Sequence, residues 1–243
     1  MINIDRLAES PTSLESPEIK QFINDIQAHL CDPVSFAKPE VPGTYRSSDL
    51  LDAFDQCFHS KCYLTEQWFP NAWCMDVEHF ISQDEDPSKR YEWSNLFPAE
   101  HRANKIKPRK TPDGGYLNPC NPEDDVEYEI RYSLSALGQE PNFAARNAEN
   151  IKAVNTSRLL NQIHNGHDKN TKLATASLRY EIQKKYDHIL NLMIQWLASP
   201  QGSDIKYQYE MELKLHLSRR SSFTMLLRSM VPVLNHIPNH FLD

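Results

Sequence analysis

The sequence predicts an α+β protein, mostly α, in which a small ββα unit lies within a helical shell. Two observations predict this class. Most long segments of the 243 residues repeat apolar side chains at helical spacing, whereas one alternating segment, 72–80, precedes a short aromatic stretch and a helix. The hydrophobic share of 40% and the charged share of 24% suit a globular chain with a buried core. Because no run of 18 apolar residues occurs, we expect no membrane-spanning helix and no membrane partner.

The first predicted domain is an N-terminal helical lead, residues 1–58. A helix is expected at 17–31, since Ser16 is a favoured cap residue and proline at position 17 suits the first helical turn. A second helix is expected to be capped by Ser48 and Asp49 and to run to about Phe58, with its leucines and phenylalanines on the buried side.

Two further domains follow the lead. The ββα core, 59–125, contains a strand, a short strand or turn, and a helix that stops before a proline, at 72–80, 91–95 and 98–107. The C-terminal helical region, 126–243, begins with a strand at 126–134. Four helices are expected after it, at 147–164, 171–197, 204–217 and 221–234. The last few residues are expected to fray.

The charge of the chain restricts how it can bind nucleic acid. The formal net charge is −7, so binding over the whole surface is excluded and any contact has to be local. Residues 89–110 supply such a region, because they contain seven Lys or Arg and two acidic residues. The candidate nucleic-acid contacts are Arg102, Lys105, Lys107, Arg109 and Lys110. The alternative interpretation of such a segment is a solvated surface.

The cysteines and the first residues indicate the compartment. The five cysteines are an odd, scattered set, which favours reduced thiols over a disulfide framework. The opening residues are polar and lack the apolar centre of a secretory signal. A cytoplasmic protein is therefore expected.

Five residues make up a pattern suited to phosphodiester hydrolysis: Glu78, His79, Asn95, Asn104 and Lys107. This reaction needs a cation to stabilise developing charge and a base to activate water. Glu78 and Asn104 offer oxygen ligands for Mg²⁺ or Mn²⁺, and an imidazole such as His79 suits a general base near neutral pH. Asn95 is expected to hold the imidazole or the metal loop, and Lys107 to contact a phosphate as a point charge.

The order Glu-His, Asn-Leu and Asn-x-x-Lys resembles the signature of the HNH endonucleases, whose ββα-metal core runs acid-His, Asn, Asn. The resemblance implies that His79 is the general base and that Asn95 orients it. It also implies that Glu78 and Asn104 are the metal ligands. The matching motifs lie within 59–125, and the expected function is metal-dependent endonuclease cleavage of DNA or of RNA, including tRNA.

One branch of that family is similar in more detail. The frame EHF, YEWSNL and N-x-x-K resembles the PtuB proteins, the HNH partners in Septu-type and retron-associated defence systems. The resemblance implies a role in bacterial anti-phage defence and an ATPase partner of the PtuA type. For a retron system it also implies a complex with a reverse transcriptase and its non-coding RNA. The C-terminal helices, about 147–235, are then the expected docking surface for the ATPase.

The chain departs from that branch at the structural zinc site. Many members carry two Cys-x-x-Cys pairs, but here the first pair reads Cys62 and Thr65, and the second reads Glu100 and Ala103. Only one of four ligands remains, so no structural zinc is expected. A rearranged site that uses Cys57, Cys62, Cys74 or His101 stays open. Packing of four aromatic residues is expected to replace the zinc: Trp68, Trp73, Tyr91 and Trp93.

Two other functions stay open. The missing zinc cysteines favour a catalytically inert HNH scaffold that serves as a regulatory or binding subunit of the same complex. A weaker alternative is a helical scaffold in which the motif arose by chance. The remaining histidines are interpreted as structural or surface residues, and among them His164-x-x-His167 is nearest to a metal-binding pair.

Overall fold

The computed structural model of the protein describes residues 1–43, 46–134 and 140–243. These residues form a mostly helical α+β structure with two small antiparallel sheets of two strands each, which confirms the predicted fold class. None of the described helices is both long enough and apolar enough to cross a membrane.

The described residues divide into two compact units. The motif unit comprises Ile4–Tyr63 and Phe69–Asp113, and the helical unit comprises Met1–Asn3, Leu64–Trp68 and Gly114–Asp243. This division differs from the three predicted domains, because the N-terminal lead and the ββα segment belong to the same unit.

Two helices of the motif unit begin and end where the sequence predicts. Helix α1, Pro17–Cys31, starts at Ser16, whose side-chain oxygen accepts a hydrogen bond from the amide of Ile19. Its apolar stripe buries Phe22 and Ile26. Helix α2, Ser48–Phe58, has four large apolar side chains in the core: Leu50, Leu51, Phe54 and Phe58.

The ββα segment consists of β1, Asp76–His79, β2, Leu96–Ala99, and α3, His101–Ile106. The two strands are antiparallel, with Glu78 opposite Phe97 and His79 opposite Leu96. The helix predicted from residue 98 begins later because Pro98 and Ala99 belong to β2. The side chain of Glu100 then caps α3 by accepting hydrogen bonds from the amides of Arg102 and Ala103.

The helical unit contains seven α-helices and one two-stranded sheet among its described residues. In the sheet, β3, Ile130–Leu134, pairs antiparallel with β4, Pro141–Ala145. The helices are α4, Val126–Glu129, α5, Ile151–Asn165, α6, Lys169–Ala174, α7, Ala176–Ala198, α8, Asp204–Leu217, α9, Thr224–Arg228, and α10, Val231–His236.

Several predicted elements in this unit were wrong in extent. The strand predicted at 126–134 starts with a helical turn, because the Asp125 side chain accepts a hydrogen bond from the amide of Tyr128. Between α6 and α7, Thr175 is buried and leaves ideal helical geometry, so the helix predicted at 171–197 is two helices. The helix predicted at 221–234 is also two, because Met230 is extended ahead of a first turn that contains proline.

The C-terminal tail is ordered rather than frayed. Phe241 is buried in the helical unit. The side chain of Asp243 forms a 2.6 Å ion pair with Arg228. These two contacts fix the end of the described chain.

Candidate active-site groove

A groove of about 530 Å³ lies along the ββα segment of the motif unit. Its walls come from β1, from the loop after β1, and from α3 with the residues that follow it. The predicted site residues in its lining are Glu78, His79, Asn104, Lys105, Lys107 and Arg109, whereas Asn95, Arg102 and Lys110 lie outside it. The lining also includes Asp76 and His101, which the sequence pattern did not assign to the catalytic site.

His79 is the last residue of β1 and is held in one orientation. Its Nε2 atom lies 3.0 Å from the carbonyl oxygen of Arg90. Because a carbonyl only accepts hydrogen bonds, Nε2 carries the ring hydrogen and the lone pair of the neutral imidazole is on Nδ1. Burial lowers the pKa of His79, and the bond to Arg90 opposes that effect only in part. The ring is therefore neutral at pH 7 and has the protonation state of a base.

Asn95 stabilises the loop that joins β1 to β2. Its Oδ1 accepts a hydrogen bond from the amide of Ile81 at 2.7 Å. Its Nδ2 donates to the carbonyls of Ile81 and Lys89, at 2.9 and 3.1 Å. Lys89 directly precedes Arg90, whose carbonyl contacts the His79 ring. Asn95 thus holds the loop backbone beside the carbonyl that contacts the imidazole, and none of these three hydrogen bonds is to the ring itself.

Glu78 and Lys107 form a buried ion pair. Oε1 of Glu78 lies 2.5 Å from Nζ of Lys107, and both side chains are only 5% exposed. Oε2 of Glu78 accepts a 2.8 Å hydrogen bond from the hydroxyl of Tyr63. Nζ of Lys107 also donates to the carbonyls of His79 and Phe80, each at 2.8 Å. Burial raises the pKa of Glu78, and the charge and hydrogen bond of Lys107, followed by Tyr63, oppose the rise.

This ion pair engages two residues to which the sequence assigned other roles. The three ammonium hydrogens of Lys107 all have acceptors within the protein, so a phosphate would have to compete with them for Lys107. Both oxygens of Glu78 likewise accept hydrogen bonds, so a cation would have to compete with Lys107 and Tyr63 for this carboxylate. The pair instead stabilises the end of β1, where the backbone turns into the loop.

A second polar cluster lies on the open side of the same groove. Oδ2 of Asp76 is 2.8 Å from Nδ1 of His101 and 3.1 Å from Nδ2 of Asn104. The side chain of His101 is 64% exposed and that of Asp76 is 32% exposed. Asp76 and Glu78 share a face of β1 because side chains two residues apart point the same way. A carboxylate, an imidazole and an amide on one accessible wall are donor types that fit a divalent cation.

Basic side chains form part of the rim of the groove. Lys105 and Arg109 are exposed and contribute to its lining. Arg109 lies 3.7 Å from Asp84 in an ion pair that is open to solvent. An exposed pair of this kind contributes little to stability and exchanges readily for another anion. Lys105 and Arg109 are thus the predicted nucleic-acid contacts that line the groove with exposed charges.

The aromatic residues expected to replace a structural zinc behave in two ways. Tyr91 and Trp93 are buried, and the Trp93 ring stacks on Phe54 with centroids 5.5 Å apart. Trp68 and Trp73 are 53% and 54% exposed, so the prediction that they pack into the core was wrong. Within residues 1–43, 46–134 and 140–243, no three His, Cys, Asp or Glu side chains are grouped so as to hold a metal ion.

The histidines outside the groove include one pair that sequence spacing did not reveal. His164 is buried and its Nδ1 lies 2.8 Å from the carbonyl of Leu160 in its own helix, which is a structural role. His188 of α7 and His216 of α8 face each other, with their Nε2 atoms 3.0 Å apart. Burial, with the nearby charges of Lys185 and His188, lowers the pKa of His216 to about 4.

No protein-family model, curated protein or solved structure matches the chain. The resemblance to HNH endonucleases therefore rests on the motif residues and on the groove in which they lie.

Proposed function

We propose that the protein is a metal-dependent endonuclease of the HNH type that hydrolyses phosphodiester bonds of DNA or RNA. The observation that carries the proposal is His79. It is a buried, neutral imidazole at the end of the first strand of a ββα segment, and a loop that Asn95 closes holds it in place. It shares the groove with Asn104, on the helix that follows the second strand. This is the order of elements that the HNH resemblance implies.

Each residue of the groove has a separate role in the proposed reaction. His79 takes the proton of the attacking water on Nδ1, since Nε2 already carries a hydrogen. Arg90 keeps the ring in this tautomer through its carbonyl. A divalent cation, when bound, stabilises the charge that develops on the phosphate and the leaving oxygen. Asn104 would hold the cation together with a carboxylate of β1, and Mg²⁺ or Mn²⁺ is the expected ion.

The rim of the groove favours a polyanionic substrate. Lys105 and Arg109 supply exposed positive charge beside the groove, in a chain whose formal net charge is −7. Contacts of this kind position a phosphate backbone without reading its sequence. DNA and RNA share that backbone, so both belong in the test.

Cleavage of plasmid DNA, single-stranded DNA and tRNA, with Mg²⁺ or Mn²⁺, tests this proposal. We expect the native protein to cleave at least one of these substrates. His79→Ala should lose the activity, and the matched control His167→Ala should retain it, since His167 is an exposed residue at the start of the loop before α6. Equal cleavage by His79→Ala and the native protein would remove His79 from the mechanism.

The PtuB-like residues suggest a cellular setting for this activity. We propose a cytoplasmic effector of anti-phage defence that works with a PtuA-like ATPase and, in a retron system, with a reverse transcriptase and its RNA. Apolar side chains exposed on α7 and α8 would form the docking surface for the ATPase: Ile194, Leu197, Ile205, Tyr207, Met211 and Leu215. Co-purification with an ATPase encoded by a neighbouring gene tests this setting, and Leu215→Asp should weaken the interaction.

The hydrogen bonds that Glu78 makes within the protein favour a second candidate function. Both of its oxygens accept hydrogen bonds inside the protein, so a cation would have to compete with Lys107 and Tyr63 for the predicted metal ligand. The alternative is therefore an inert HNH scaffold that binds its partner and does not cut. Partner binding together with no Mg²⁺ or Mn²⁺ binding and no cleavage of any substrate would favour this alternative.

A further inference from the structure

We infer that the cation site of the groove is formed by Asp76, His101 and Asn104, and not by the Glu78 of the Glu-His motif. This inference rests on the proposed function, and it assigns the ligands of the same site. Asp76 is the first residue of β1 and His101 is the first residue of α3. Asn104 lies one helical turn after His101, so both α3 side chains face Asp76 across the open side of the groove.

The spacing of the three side chains already approximates a coordination shell. Around a six-coordinate cation with ligand distances of about 2.1 Å, neighbouring ligand atoms lie about 3 Å apart. Oδ2 of Asp76 lies 2.8 Å from Nδ1 of His101 and 3.1 Å from the Asn104 amide nitrogen. Replacing these hydrogen bonds by a shared cation therefore requires little movement of the backbone.

Two local changes would accompany binding. Nδ1 of His101, which donates to Asp76, would give up its hydrogen and bind the cation through the freed lone pair, while Nε2 carries the ring hydrogen so that the imidazole stays neutral. The amide of Asn104 would turn by half a rotation so that Oδ1 replaces Nδ2, which exchanges two atoms of nearly equal size. Water would complete the shell, because the His101 side chain is 64% exposed.

Glu78 is the poorer ligand because of what it would leave behind. Its withdrawal from the ion pair would strand the ammonium of Lys107 in a site where both side chains are only 5% exposed. Release of Asp76 from its hydrogen bonds would leave no buried charge unpaired, since its partners are a solvent-exposed imidazole and an amide. The inferred carboxylate ligand is therefore two residues earlier on the same face of β1, and it lines the same groove.

The donor set also selects among metals. A single imidazole nitrogen beside a carboxylate and an amide oxygen favours Mn²⁺ over Mg²⁺, because Mg²⁺ prefers oxygen ligands and Mn²⁺ accepts a nitrogen more readily. The shell should contain one nitrogen from His101.

Calorimetric titration of the full chain with Mn²⁺, together with pulsed electron paramagnetic resonance of the bound ion, tests the inference. We expect Asp76→Asn to weaken Mn²⁺ binding at least tenfold and His101→Gln to remove the nitrogen coupling from the spectrum. The control is Asp84→Asn, which changes an exposed carboxylate of the same groove. Its affinity for Mn²⁺ should stay within threefold of that of the native protein. Glu78→Gln should also keep the nitrogen coupling.

The outcomes separate this inference from the proposed function. Native Mn²⁺ affinity in Asp76→Asn, an unchanged spectrum in His101→Gln, or absence of Mn²⁺ binding to the native chain would overturn the ligand assignment. Cleavage that survives in Asp76→Asn would overturn it while leaving the nuclease intact. Binding that depends on Asp76 without any cleavage by the native protein would instead keep the ligands and refute the nuclease. Circular dichroism of each variant confirms that it is folded.

Discussion

Replacement of Lys107 by methionine is the sharpest test of the buried ion pair beneath the groove. Methionine keeps the length and apolar stem of the side chain but removes the ammonium, which bonds to Glu78 and to two backbone carbonyls. Removal of one member of a buried pair leaves an uncompensated charge and typically costs about 3–5 kcal/mol. If Lys107 were instead a solvent-exposed lysine available to a phosphate, its substitution would lower the free energy of unfolding by less than about 0.5 kcal/mol, because surface substitutions rarely cost more.

Urea unfolding and amide hydrogen exchange of β1 measure this difference. Lys105→Met is the matched control, since Lys105 is an exposed lysine two residues earlier. The loss in Lys107→Met should be smaller at pH 5 than at pH 7. Burial already raises the folded-state pKa of Glu78, and loss of the ammonium raises it further, so the penalty grows as pH rises and the carboxyl ionises. The double variant with Glu78→Gln should recover part of the loss. A change below about 1 kcal/mol at pH 7 would refute the buried pair.

Three further predictions concern the base, the loop and the helical unit. The cleavage rate should rise with pH and have its midpoint below pH 6.5, because burial lowers the pKa of His79; a midpoint above 6.5 would contradict this. Asn95→Ala should cost about 2–3 kcal/mol in unfolding experiments and also slow cleavage, since three partly buried hydrogen bonds are lost; native rates would refute its role. In the helical unit, the pKa of His216 is lowered to about 4, so its stabilising effect is complete above pH 6.5 and lost as pH falls towards 4. His216→Gln should reduce this acid dependence of the free energy of unfolding by about 1 kcal/mol, and an unchanged slope would contradict it.

Local signals in the sequence were sufficient for several elements of the fold. The serine cap and the proline of the first turn fixed the start of α1, and apolar spacing fixed α2 and α8. These signals act within one or two helical turns, so they do not depend on the rest of the chain. Strand β4 was missed because its pairing with β3, rather than any strong strand preference, defines it.

The site was predicted in part for a similar reason. The sequence brought His79 and Asn104 to one groove, because a strand and the helix that follows its partner strand meet there. It did not predict the ion pair of Lys107, whose partner Glu78 lies 29 residues earlier and is reached only through the folded pair of strands. Asp76 was not assigned to the site, because the Glu-His motif does not include it. The two-residue period of a strand nevertheless places Asp76 on the same face as Glu78.

Single-turnover cleavage, with the most readily cleaved of the three substrates, tests the central claim most directly. The account predicts that His79→Gly slows the chemical step by about 10²–10⁴ and that added imidazole restores part of the lost rate, since the missing group is a base. A native rate in His79→Gly, or a loss that imidazole does not reverse in a folded variant that still binds Mn²⁺, would contradict the assignment of His79 as the base.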